Sequence, residues 1–137
     1  MDDPIPRVQC HAATAIVNFV DQCDNEFIEP YLDSLISKLL TILQKGKRFV
    51  QEQALAAISA VASSATHLFV KYYAVTIPYL KIILNNANGK QERMLRAKAM
   101  ECINLIGVAV GPETFRNDAI EVMNVLLKTQ SWFQKKN

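Results

Sequence analysis

The sequence predicts an all-α fold in which three similar helix pairs stack in order as a solenoid. Three observations predict it. One apolar stripe is spelled three times, as VQCHAATAIVNFV (8–20), VQEQALAAISAVA (50–62) and LRAKAMECINLIG (95–107). Each copy is followed by a second amphipathic stretch that opens on phenylalanine, at Phe27, Phe69 and Phe115. No segment alternates apolar and polar residues as a half-buried strand would.

The first helix is expected over 5–23, with Val8, Ala12, Ile16 and Phe19 at helical spacing for burial. The second, over 26–44, follows Asp24-Asn25 and carries FIEPYLDSLISKLLTIL. The third, over 47–65, repeats the first with Val50, Gln51, Ala54, Ala57 and Ile58 in place of Val8, Gln9, Ala12, Ala15 and Ile16. The small residues of this stripe let a neighbouring helix approach closely. The fourth helix, over 67–88, follows Ser63-Ser64, and Pro78 inside it should kink it about one turn earlier. The fifth, over 90–110, sets Ala99 and Ile103 where the third has Ala54 and Ile58. The sixth, over 113–130, starts after Gly111-Pro112, glycine past one helix and proline opening the next. Gly46 and Asn88-Gly89 should close the second and fourth helices. Tyr31 and Tyr73 fall on equivalent positions when Phe27 is set against Phe69, which suggests packing between repeats.

Val50 lies 42 residues beyond Val8, and Leu95 lies 45 beyond Val50. A helix pair recurring at that period reads as a HEAT or armadillo-like repeat, whose units cannot bury their apolar faces alone and so stack. The repeats are expected at 5–44, 47–88 and 90–130 of a single domain, with a tail at 131–137. In that tail Trp132 and Phe133 either fold over the open end of the stack or stay exposed. Three repeats are about the minimum for a solenoid, and neither end has a polar capping repeat. The chain is therefore expected to be marginally stable or self-associating.

Composition excludes several functions. The net charge of +2, from 15 basic and 13 acidic residues, lacks the basic stripe of a nucleic-acid binder. No apolar run approaches the roughly 18 residues of a membrane span. MDDPIPR is not a signal peptide, so an intracellular, soluble chain is expected. Cys10, Cys23 and Cys102 form no CxxC and read as reduced, buried thiols. His11 lies beside Cys10, about 100° away around the helix, so the two cannot act as a nucleophile–base dyad; His67 reads as a surface or capping residue. No metal spacing or phosphate loop appears, so neither catalysis, cofactor nor metal is expected. KGKR (45–48) reads as solvated charge at a repeat junction rather than a localisation signal. The basic group Lys90, Arg93, Arg96 and Lys98 is either an anion-binding patch or an ordinary solvated face.

Four strings narrow the reading: DDPIPRVQCHAATAIVNF, PYLDSLISKLL, YYAVTIPYLK and RMLRAKAMECINLIGVAVGPETFRNDAIEVM. They resemble the importin-beta family of nuclear transport receptors, in its importin-5 (karyopherin beta-3) branch, over about Asp2 to Gln130. The resemblance implies a segment of about three repeats from the middle of a longer receptor that shuttles between cytoplasm and nucleus. Its partners would be protein cargo carrying nuclear localisation signals, with Ran-GTP and FG-nucleoporins engaging the full-length receptor largely outside this segment. Cargo would lie along the second helices of the pairs. The candidate cargo-facing residues are then Asp33, Ser37, Lys38, Lys71, Lys81, Asn85, Glu121, Asn124 and Lys128. Four lysines against two carboxylates make this a poor main site for basic cargo. The alternative reading is a generic HEAT-repeat interaction scaffold or a truncated, non-transporting remnant.

Overall fold

The computed structural model describes residues 1–135, and side chains as far as Gln130. In chain order the helices are α1 (Pro6–Gln22), α2 (Asn25–Ile28), α3 (Leu32–Lys45), α4 (Arg48–Ser64), α5 (Thr66–Phe69), α6 (Tyr73–Asn86), α7 (Arg93–Val110) and α8 (Pro112–Lys135). Single 3-10 turns join α2 to α3 (Glu29–Tyr31) and α5 to α6 (Val70–Tyr72), and another precedes α7 (Lys90–Glu92). Each of the first two repeats is thus a long helix followed by a short turn of helix, a 3-10 step and a second long helix. In the second repeat the chain turns by 116° between the two.

The copied stripe explains the packing. The helices α1, α4 and α7 lie side by side, and α3 and α6 form the adjacent layer, with α8 against α6 and α7. The middle helix α4 has neighbours on both sides and is buried on both: Val50, Ala54, Leu55, Ala57, Ile58, Val61 and Ala62 are all 0% exposed. Alanine at three of the contact positions brings the helix axes close, and the large residues interlock around them. Each fully buried Leu, Ile or Val is worth about 1.5–3 kcal/mol against leaving it in water.

The end helix α1 departs from expectation. Of the residues expected to be buried, Val8 and Phe19 are 43% and 52% exposed, and Ala12 and Ile16 are half-buried; Ala13 and Val20 face the core instead. The cause is position in the stack, since only one side of α1 has a neighbour.

The register of the second helices also shifts. The first helices repeat at 42, Pro6 to Arg48, but α3 and α6 begin 41 apart, at Leu32 and Tyr73. The connection explains it: Cys23 and Asp24 separate α1 from α2, whereas Ala65 alone separates α4 from α5. Tyr31 is therefore the counterpart of Tyr72, not Tyr73, and Ile28, not Phe27, is the counterpart of Phe69. Burial agrees, for Ile28 and Phe69 are 1% and 0% exposed while Phe27 is 66% exposed. Ser63 and Ser64 lie inside α4, and the break falls at Ala65.

Pro78 sits on the exposed side of α6, which continues through it. The interruption is the 3-10 step at Val70–Tyr72, and its twin at Glu29–Tyr31 occurs in a helix with no proline downstream. The break belongs to the repeat and not to Pro78. At the third turn, Gly111 has φ 87° and ψ 164°, a conformation open in practice only to glycine, and Pro112 starts α8 directly. The helix then runs to Lys135, through most of the segment expected as a tail. The expectation for Trp132 and Phe133 concerns side chains outside the described residues. Of the cysteines, Cys102 is buried but Cys10 and Cys23 are only half-buried.

Candidate binding surface

Successive second helices present their polar positions in a row, and much of that polarity is tied up between repeats. Asp33 on α3 accepts hydrogen bonds from Tyr72 Oη at 2.6 Å and Lys71 Nζ at 3.1 Å, both from the next repeat. The Lys71 ammonium also stands 5.6 Å from the Tyr72 ring centre. The hydrogen bond from Tyr72, reinforced by that from Lys71, holds the Asp33 carboxyl below its ordinary range. Burial, helped by the adjacent carboxylate, pushes the Tyr72 hydroxyl up to about 12.

A second clasp joins repeats two and three. Asp118 on α8 accepts from the Tyr73 hydroxyl and the Lys81 ammonium, and Lys81 also reaches Glu121. This cluster is less wet than the first, with Lys81 and Asp118 only 20% and 24% exposed. Partial burial works against the charged form of Asp118, but Lys81 and Tyr73 outweigh it and keep the carboxyl low. Burial likewise opposes charge on Lys81, and its two carboxylates keep it raised. Burial pushes Tyr73 up, with Asp118 adding to the shift.

The nine candidate residues therefore fall into distinct states. Asp33 and Lys71 are exposed but paired with each other, and Lys38 pairs with Asp2. Lys81 is recessed between Asp118 and Glu121, so its charge is largely neutralised at the surface. Ser37, Asn85, Asn124 and Glu121 are exposed on α3, α6 and α8. Lys128 is exposed at the rim of a groove of about 720 Å³, together with Arg93, Arg96 and Thr129. With Asp2 and Asp118 brought in by the fold, four carboxylates stand against the four lysines. The surface is closer to neutral than the chain's linear order suggests.

Among the basic group on the fifth helix, Arg96 has a packing role. Its guanidinium donates to the Leu84 carbonyl at 2.6 Å and to Thr129 Oγ1 at 2.8 Å. Gln51, its counterpart one repeat earlier, donates to the Leu43 carbonyl at 2.8 Å. Both side chains satisfy a carbonyl in the last turn of the preceding second helix, which has no intrahelical donor.

Sequence reasoning missed Asp118, Tyr72 and Tyr73 as members of the surface. Their partners lie some forty residues away, and only the corrected register brings them opposite one another. A second missed feature is apolar: Ala74, Val75, Pro78 and Ile82 form an exposed strip along α6. It borders a groove of about 580 Å³ lined by Leu43, Gln44, Tyr79 and Ile83. Among the described residues no three His, Cys, Asp or Glu side chains cluster as metal ligands. Cys102, pushed up to about 12 by burial, is held in the non-nucleophilic thiol form. No single described helix is long and apolar enough to cross a membrane.

The family model described as "Importin subunit beta-1-like, TPR repeats" matches residues 4–136. Importin subunit beta-3 of Saccharomyces cerevisiae is 45% identical over 125 residues, which are 91% of this chain and 11% of that protein. A crystal structure of the karyopherin Kap121p bound to the SUMO protease Ulp1p superposes with a TM-score of 0.85 at 41% identity. It covers 96% of this chain and 12% of Kap121p. Kap121p bound to RanGTP gives a TM-score of 0.74 at 44% identity, covering 91% of this chain and 12% of that one. The chain thus spans about a ninth of the length of the relatives it matches.

Proposed function

The chain belongs to the importin-beta family, in the branch of importin subunit beta-3, and on that premise we propose that it supplies one stretch of the cargo-binding surface of a nuclear import receptor. The observation that carries this is the match to Kap121p in a complex with a protein partner, over nearly the whole of this chain. The geometry supports it: α3, α6 and α8 offer a wide surface with exposed polar residues and an apolar strip along α6. Such a surface binds an extended segment by summing modest contacts, the usual use of a solenoid. It acts by binding alone, without catalysis.

The receptor shuttles between cytoplasm and nucleus and carries proteins with nuclear localisation signals. Ran-GTP and FG-nucleoporins are partners of the whole receptor, and this segment by itself does not complete the cycle. Within the segment, Asp33, Lys71, Asn85, Asn124 and Lys128 are the cargo-facing polar residues. Ser37, Lys38 and Glu121 lie beside them. Lys81 instead serves the inter-repeat clasp, so its contribution to cargo is indirect.

A chimaera tests the reading. The matching stretch of Kap121p is replaced by this chain, and binding to Ulp1p and RanGTP is measured. Both are expected to be retained. Charge reversal at Lys71 and Lys128 should then alter Ulp1p binding without changing helicity, whereas reversal at Arg93 and Lys98 on α7 should matter less. Loss of cargo binding only in the α7 variants would overturn the assignment of faces.

A further inference from the structure

The two basic clusters of the sequence, 45–48 and 90–98, meet in the structure. Each begins at a junction where a second helix gives way to the first helix of the next repeat, and Arg48 Nη1 donates to Gln91 Oε1 at 3.5 Å. Residues 45–52 and 90–98 hold seven of the 15 basic residues and two of the 13 acidic ones, a net +5 in a chain whose total is +2. The rest of the chain is therefore net acidic. At the opposite edge, in the turn within the first repeat, Asp21, Asp24, Glu26 and Glu29 are exposed.

The cations of this edge are not spent on carboxylates. Lys45, Lys47, Arg48, Lys90 and Arg93 are exposed, and among the described residues none of the five forms an ion pair. Glu92 accepts from the Gly89 N–H at 3.0 Å, and Asp2 pairs with Lys38. Glu52, the other carboxylate of the two segments, is half-buried one turn along α4. Lys47 and Arg48 also stand at the start of α4, whose first turn holds no acidic residue, so the helix dipole adds to the positive field.

Between the junctions opens the groove of about 580 Å³. Buried Leu43, Ile83, Ala87 and Leu95 floor it, and Lys45 and the exposed Ile82 also line it. Its walls come from α3, α4, α6 and the start of α7, all interior to the stack. We propose that this groove is the docking site of an acidic peptide that carries a bulky apolar side chain. The apolar residue enters against Ile82 and Ile83, while flanking carboxylates pair with Lys45 and Arg48 at one junction and Lys90 at the other. Adjacent helices lie about 8–10 Å apart and an extended chain advances about 3.3 Å per residue. Carboxylates about three residues apart therefore span the two junctions. The mostly aliphatic lining suits a leucine or phenylalanine better than a nucleotide base. None of the nine cargo-facing candidates lines the groove, so this site stands apart from the cargo reading.

Fluorescence anisotropy with the 137-residue chain tests this, using a labelled ten-residue peptide of glutamates around a central Leu-Phe pair. Binding is expected, and it should weaken as salt rises. Arg48→Glu should weaken it about tenfold, because an attraction becomes a repulsion. Glutamate there favours the start of α4, so the loss does not come from unfolding. Ile82→Ser, at a residue 56% exposed, should weaken binding about fivefold. Replacing the peptide's Leu-Phe pair by serines should do the same, and carries the test should Ile82→Ser unfold. Arg116→Glu makes the same charge change on exposed α8 surface at the opposite edge and should leave the affinity unchanged. Absence of peptide binding, equal weakening by Arg116→Glu and Arg48→Glu, indifference to the apolar pair, or tighter binding of a labelled ten-nucleotide oligouridylate would overturn the proposal.

Discussion

Thr76 and Asp118 show how differently two polar side chains can stand in the same layer. Thr76 is fully buried in α6, and its hydroxyl has no hydrogen-bond partner. A buried, unpaired hydroxyl costs about 1–3 kcal/mol, and valine has nearly the same shape. Thr76→Val is therefore predicted to raise stability by about 1 kcal/mol in urea denaturation. Asp118 is partly buried but doubly served by Lys81 and Tyr73, so its folded pKa lies below the ordinary 3.8. A depressed carboxyl stabilises the fold above the unfolded value, and that contribution is lost as pH falls through the folded one. Asp118→Asn is predicted to be less stable than the parent near neutrality, and the difference should narrow as the pH drops below about 4. A gap that stays constant down the acid limb would show that the carboxylate's charge is not the source.

Among the elements, identical residues at equivalent positions have different fates. Val8 and Val50 occupy the same place in α1 and α4, yet one is 43% exposed and the other 0%. Val50→Ala is predicted to cost about 2 kcal/mol, through lost transfer free energy and a residual cavity. Val8→Ala should cost less than about 0.5 kcal/mol at dilute concentration. Thermal melts of the two variants decide it. Gly111 sits where α7 turns into α8, at φ 87°, and beyond its two chain neighbours no atom lies within 4 Å of where a Cβ would be. Gly111→Ala should therefore lose about 1–3 kcal/mol from backbone strain alone. A neutral result would mean that the turn relaxes at little cost.

The six expected helical segments, two of them divided by a 3-10 step, and their stacking order were legible because the apolar stripe and its period are local patterns. The ends of the stack were misread for a physical reason. Periodicity marks which face can be buried, as at Phe19, but whether a neighbour exists to bury it is not written in that helix. The inter-repeat clasps were invisible for a related reason. Lys81 meets Asp118 across 37 residues, and a one-residue shortening at Ala65 shifts which tyrosine faces which carboxylate. The sequence leaves Arg96 in either an anion-binding patch or an ordinary solvated face, because its carbonyl partner leaves no trace in side-chain composition.

At the scale of the whole molecule, layering assigns the work. The first helices carry the small residues and spend their faces on one another, so α4 is the best-buried element. The second helices keep an exposed flank of mixed polar and apolar character, and the clasps at Asp33 and Asp118 fix the spacing between them. Such clasps are partly exposed and individually worth little, so they orient repeats more than they stabilise them. The central claim is that the second helices form the contact surface. Hydrogen exchange of the Kap121p chimaera, with and without Ulp1p, tests it most directly. Added protection is predicted along α3 and α6 and at the 3-10 steps that precede them, with α1, α4 and α7 unchanged. Protection confined to α4 and α7 would contradict the account.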